Sequence, residues 1–246
     1  MKKRPKRAAA QNKVQGLLAA LNDDLALPLL QIKSGLELVE QAGFNRQTWL
    51  SQHKIMSLSV SNGLQLIDAY RLALRFEEIK NIFLEPVAVG AVLQDVAHEL
   101  SAYAKIYNTE IEVDVQGKLT PVLAHQPSLN AALSVLGSSL IRAQAAQSKQ
   151  KHYRLLLGAH RTADNVIAAG VFSSVHGLSD KALRSARNLV GKARQPLPSV
   201  PPGAASGILI ADMLCASMWQ PLRAAAHRNL HGLATTIPIS KQLQFV

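Results

Sequence analysis

Cysteine is nearly absent: Cys215 is the only one in 246 residues, which excludes an internal disulfide and a thiolate metal cage. It lies in the apolar stretch ILIADMLCASMW and reads as core packing. Aromatic residues are scarce as well, at 4%. No basic stretch is interleaved with them, so the chain encodes no stacking platform for single-stranded nucleic acid, and nucleic acid is not an expected partner. No apolar run approaches the ~18 residues that a membrane helix needs. The opening MKKRPKRAAAQNK leads into amphipathic rather than uniformly apolar sequence, so neither a span nor a signal peptide is expected, and a cytoplasmic location is. The eight histidines show no HExxH and no zinc-ligand spacing, and no Walker loop or Gly-x-Ser-x-Gly turn occurs. No metal site is expected.

What is present is a hydrophobic content of 48%, ample for a packed core, and a formal charge of +11. Almost half of that charge comes from Lys2, Lys3, Arg4, Lys6 and Arg7, and residues 1–12 read as a basic disordered tail that attracts phosphate polyanions. From Val14 to Gln41 apolar residues recur every three or four positions, through Leu17, Leu21, Leu25, Pro28, Leu29, Ile32, Leu36 and Val39. Gly43 and Asn45 supply turn chemistry, and a second series runs from Trp49 to Phe76. The spacing predicts an antiparallel helical hairpin over residues 13–80. Its uncovered apolar face is best buried by a second copy, giving a dimeric four-helix bundle.

Residues 81–246 alternate helix and strand. PVAVGAVLQDVAHELSAYAKIY reads as a helix, TEIEVDV and TPVLAH as strands, PSLNAALSVLGSSLIRAQAAQ as a second helix, and HYRLLLGAH with NVIAAGVFSS as a strand pair turning at Thr162 to Asn165. SDKALRSARNLVGKA is a helix with Ser179 as its N-cap. A proline-rich loop, the helix GILIADMLCASMW and two strands around PLRAAAH and GLATTIPIS finish the chain, with His227 and His231 flanking the turn. The fold class is α+β, a hairpin followed by a two-layer α/β sandwich.

That order, with Pro28 inside the first helix, resembles the catalytic core of bacterial sensor histidine kinases from Val14 onward. The family's His-Glu-Leu-Arg-Thr-Pro-Leu motif is matched by Asp23-Asp24-Leu25-Ala26-Leu27-Pro28-Leu29. The resemblance implies that Asp23 stands at the phosphoacceptor position, where a carboxylate cannot act as the imidazole does, and that Asp24 holds the place of the neighbouring acidic base. Ala26 and Leu27 replace an arginine and the polar residue that serves dephosphorylation. His98-Glu99-Leu100 repeats three letters of the motif but lacks the proline and falls in another helix.

The nucleotide boxes that the resemblance implies are altered too. Val135-Leu136-Gly137-Ser138-Ser139-Leu140 lacks both asparagines, leaving the Ser139 hydroxyl where magnesium would be ligated. Ser173 replaces the carboxylate that reads adenine, a loss of about 1.5–3 kcal/mol, and only Gly177 survives of that box's glycines. Gly203-Ala204-Ala205-Ser206-Gly207-Ile208 keeps Gly203 and Gly207 of a phosphate-approaching helix entry. Neither ATP nor magnesium is therefore an expected cofactor. The expectation is a non-enzymatic, dimeric docking or regulatory module of two-component-type signalling, with a response-regulator receiver domain as partner. The alternatives are a kinase or ATPase with altered ligands, or a phosphate-polyanion binder acting through the basic tail.

Overall fold

A computed structural model describes residues 4–43, 45–78, 82–147, 152–174, 178–187 and 204–240, with the side chains of the first helix from Gln15 and of the second as far as Arg75. Helix α1 (Arg4–Gln41) and helix α2 (Arg46–Glu78) form the hairpin. The first helix begins at Arg4 instead of Val14, taking in most of the stretch read as a disordered tail, because RAAAQ is rich in the best helix former. The turn follows the sequence reading. Gly43 has φ 61°, and Asn45 Oδ1 accepts from the backbone N–H of Gln47 at 2.9 Å and of Thr48 at 3.4 Å, an N-cap for α2.

Pro28 remains inside α1 and is buried. It removes the N–H that would bond the backbone carbonyl of Asp24, and its ring lies over Gly63 of α2, where an added Cβ would sit 3.9 Å from Pro28 Cγ. Farther along, Gly35 lets Met56 approach; a Cβ there would come within 2.8 Å of the Met56 side chain. Ser59 Oγ donates to Gln31 Oε1 at 2.9 Å and ties the two helices.

The α/β part consists of β1 (Glu85–Val87), α3 (Val89–Ile106), β2 (Thr109–Gln116), β3 (Val122–Ala124), α4 (Gln126–Gln147), β4 (Tyr153–Arg161), β5 (Val166–Ser173), α5 (Asp180–Arg187), α6 (Ala205–Ser217), β6 (Arg223–His227) and β7 (Leu230–Pro238). Five strands form a sheet in the order β2-β4-β5-β7-β6, with β2 parallel to β4 and the other pairs antiparallel. The helix expected from Pro86 starts at Val89 instead, because Glu85–Val87 pairs antiparallel with Val122–Ala124; a proline donates no ladder bond and suits so short an edge. Ser179 caps α5 as read, its Oγ accepting from Ala182 N–H at 3.3 Å. The remainder of that expected helix, from Asn188, lies outside the described residues.

Helix α4 is central to the layer: every residue from Ala132 to Gln144 is buried, which its small and apolar composition permits. Beneath it lies the sheet, and Leu17 of α1 and Leu66, Ala69, Tyr70 and Ala73 of α2 join the same core from the hairpin. Cys215 is fully buried, as the sequence implied, and burial pushes its thiol up to about 12. At neutral pH it is an inert thiol.

The opposite face of the sheet curls on itself. Gly170 lets Ala234 close in, since a Cβ there would stand 2.6 Å from that of Ala234, and Leu156, Phe172 and Ala234 form a small second core. Although β2 and β6 are the two outer strands, Asp114 Oδ2 lies 2.7 Å from His227 Nε2, and Arg228 Nη2 donates to Asp114 Oδ1 at 2.7 Å. Arg228 and Asn229, with φ 45° and 64°, make the tight turn that His227 flanks.

The hydrogen bond from His227, followed by that from Gln116 and the charge of Arg228, holds the Asp114 carboxyl below its ordinary 3.8 against the opposing effect of burial. A carboxyl depressed on folding adds stability that is complete above its unfolded value and is lost as pH falls through the folded one. Urea-unfolding midpoints should therefore drop steeply below pH 3.8 in the wild type. Asp114→Asn should flatten that drop and cost about 1–3 kcal/mol at pH 7.

Candidate functional site

On α1 the residues Leu17, Leu21, Leu25 and Pro28 recur at helical spacing and face the core. Asp24 shares that face, whereas Asp23, about 100° farther round the helix, is exposed. Asp24 is thus carried inward, its side chain 10% exposed, to the junction of α2, α4 and α6. Tyr70 of α2 donates its hydroxyl to Asp24 Oδ2 at 2.9 Å, and Ser206, the second residue of α6, donates to Oδ1 at 2.6 Å. Arg142 of α4, itself 9% exposed, brings Nη2 to 4.0 Å from Oδ1. The same Nη2 donates to Ser139 Oγ at 3.3 Å.

The arrangement solves an electrostatic problem. Arg142 sits in an apolar run, SLIRAQ, and a buried guanidinium requires a counterion; Asp24 supplies it. The start of α6 adds unpaired amides and positive helix-dipole charge beside the carboxylate. Burial, followed by the charge of Asp24, pushes the Tyr70 hydroxyl far above its ordinary value, so it stays a proton donor. A carboxylate accepting from two hydroxyls next to a guanidinium is an anchor with little nucleophilic character.

The structure brings Asp24, Ser139 and Gly207 together. Gly207 packs directly on Ser139, and an added Cβ would overlap the serine side chain. Close contact between α4 and α6 thus accounts for this glycine better than an approach to phosphate does. Ser173 is buried in β5 opposite His231 and Leu155, apart from the residues around Asp24. Gly177 and Gly203 lie outside the described residues. Asp23 borders a hollow of about 450 Å³ shared with Asp24, Leu27, Tyr107 and Arg142. His98 is exposed on α3, and Glu99 accepts from Ser134 Oγ at 2.9 Å.

Tyr70, Arg142 and Ser206 were not singled out by sequence reasoning. Arg142 had a legible signal, a charge set among Leu140, Ile141 and Ala143; Tyr70 and Ser206 had none. Among the described residues, no group of three or more His, Cys, Asp and Glu is arranged to hold a metal ion, and no helix is long and apolar enough to cross a membrane.

No family model matches the sequence, and no curated protein does. Solved structures do match by shape. The Acinetobacter baumannii histidine kinase AdeS shares 12% identity at a TM-score of 0.52, over 88% of this chain and 97% of its own. A bacterial phosphotransferase shares 13% at 0.50, over 92% and 96%. ShkA, solved full-length with AMPPNP, shares 18% at 0.50 over 77% of this chain, and the match spans only 40% of ShkA. The fold is therefore that of these histidine kinases, a helical hairpin joined to an ATPase-like α/β layer.

Tyr70→Phe should lower stability by about 1.5–3 kcal/mol, the value of a hydrogen bond to a charged group. Asp24→Ala, which leaves Arg142 buried without its counterion, should cost about 3–5 kcal/mol. Asp23→Ala, on the exposed side, should cost the least of the three. Urea denaturation of the three variants checks the order.

Proposed function

We propose that this chain is a non-catalytic histidine-kinase-like module, a homodimeric docking or regulatory element in two-component-type signalling whose partner is a receiver domain. One observation carries the reading: at the resembled metal and phosphate positions, Ser139 Oγ accepts from Arg142 Nη2, and Ser206 at the entry to α6 donates to the carboxylate of Asp24, which lies 4.0 Å from the same guanidinium nitrogen. A side chain of the hairpin holds the corner that a nucleotide's phosphates would need, and α4 touches α6 through Ser139 and Gly207. Asp23, at the phosphoacceptor position, has no imidazole to offer.

The dimer is supported by the outer surface of the hairpin. Leu18, Leu29 and Leu36 fall on one line along α1, and Val60, Leu64 and Ile67 fall on one face of α2, each at least 41% exposed. A stripe of this kind is what a second hairpin covers in a four-helix bundle.

Calorimetric titration with magnesium and ATP to millimolar concentration should give no saturable heat, and incubation with γ-labelled ATP should leave no label on the protein. A micromolar, metal-dependent dissociation constant would favour a working kinase with altered ligands. Light scattering at micromolar protein should return twice the mass of one chain; a monomer would remove the bundle interface from the proposal.

A further inference from the structure

A second cleft, of about 480 Å³, opens where α2, α3 and α4 meet, and it shares no lining residue with the hollow beside Asp24. Its volume lies within the range of small-molecule sites, and it sits between two structural parts, where such sites concentrate. Leu66, Ala69, Ala131 and Val135 make its apolar wall. Asp68, Glu85 and Glu99 supply its charges. No lysine, arginine or histidine lines it, although the chain has 27 Lys and Arg against 16 Asp and Glu. The sign of the protein is reversed at this cleft.

Two further features indicate an occupant. Asn62, only 7% exposed, lines the cleft, and its side-chain amide makes no hydrogen bond among the described residues. Its amide opens into the cleft, where it offers a donor and an acceptor to an occupant. Glu99 is held in place by Ser134, which donates to its Oε2 at 2.9 Å and stands 3.2 Å from Asn130 Oδ1. The carboxylates do not converge as a metal site requires; they are distributed around an apolar wall. His125 feels the charge of Glu85 but is lowered by burial, so it adds no compensating charge at neutral pH.

We propose that this cleft binds a small organic amine with an apolar body. The ammonium is drawn by the negative charge that Asp68, Glu85 and Glu99 spread around the cleft, an N–H donates to Asn62 Oδ1, and the hydrocarbon lies against Leu66, Ala69 and Val135. Because α2 forms one wall and α4 another, an occupant also holds the hairpin down on the α/β layer and raises the melting temperature by mass action. This reading stands apart from the question of kinase activity, since none of its residues belongs to the Asp24 cluster.

The test uses the full chain with phenethylamine and cadaverine as probes and 3-phenylpropionate as the charge-reversed control, read by saturation-transfer NMR, calorimetry and thermal melting. Phenethylamine should bind with a dissociation constant below about 1 mM, and 3-phenylpropionate at least about tenfold more weakly. Asp68→Asn, on an exposed side chain, should weaken the amine about tenfold. Glu99→Gln, whose amide oxygen still accepts from Ser134, should do the same, with circular dichroism confirming that both variants are folded. Equal binding of amine and carboxylate probes, no binding of either amine, or wild-type affinity in the folded double variant would overturn the proposal.

Discussion

The carboxylate of Asp24 is the point on which the arrangement of this molecule turns. Four helices meet at it: α1 supplies the acid, α2 the Tyr70 hydroxyl, α4 the Arg142 guanidinium and α6 the Ser206 hydroxyl. Each donor alone would be a buried polar group in search of a partner, and Arg142 would be an uncompensated charge. Together they form a set, centred on one carboxylate, that fixes the hairpin against the α/β layer. Apolar contact alone would not do this, because Leu17, Leu21 and Leu25 would pack almost as well after a small slide along the helix, whereas a carboxylate with three named partners would not.

The same constraint connects architecture to chemistry. A helix that carries an acid into the junction of α4 and α6 meets the Arg142 guanidinium and the Ser206 hydroxyl there, so both are engaged within the chain. The side chains that allow α4 to be enclosed, Gly137, Ser138 and Ser139, are small. At Gly137 the Leu100 side chain already fills the place of a Cβ. Small residues at these positions are what let α3 and α6 pack so closely on α4.

Much of the fold was legible because it rests on periodicity and turn chemistry. The hairpin, the Gly43–Asn45 turn, the pairing of β4 with β5 and the Ser179 cap all follow from local residue choices. What was not legible depends on distance in the chain. Asp114 and His227 are far apart in sequence and lie on opposite outer strands, so no spacing rule connects them; only a sheet curled over Phe172 does. β1 was missed because three residues around Pro86 carry too short a pattern, and its partner Val122–Ala124 is remote. At the candidate site the resemblance gave Asp24 to the phosphoacceptor motif and Ser139 and Gly207 to two nucleotide boxes; the structure brings the three together by packing and ion pairing. Asp23, which the resemblance put first, faces outward because of its angle on the helix.

The claim that Asp24 is bound as an internal anion at the entry to α6 is tested most directly by a double-mutant cycle on the full chain. Asp24→Ala, Ser206→Ala and the double variant are compared with the wild type by urea unfolding at neutral pH. The account predicts a coupling energy of about 1–2 kcal/mol between the two positions. Strict additivity of the two single losses would contradict it.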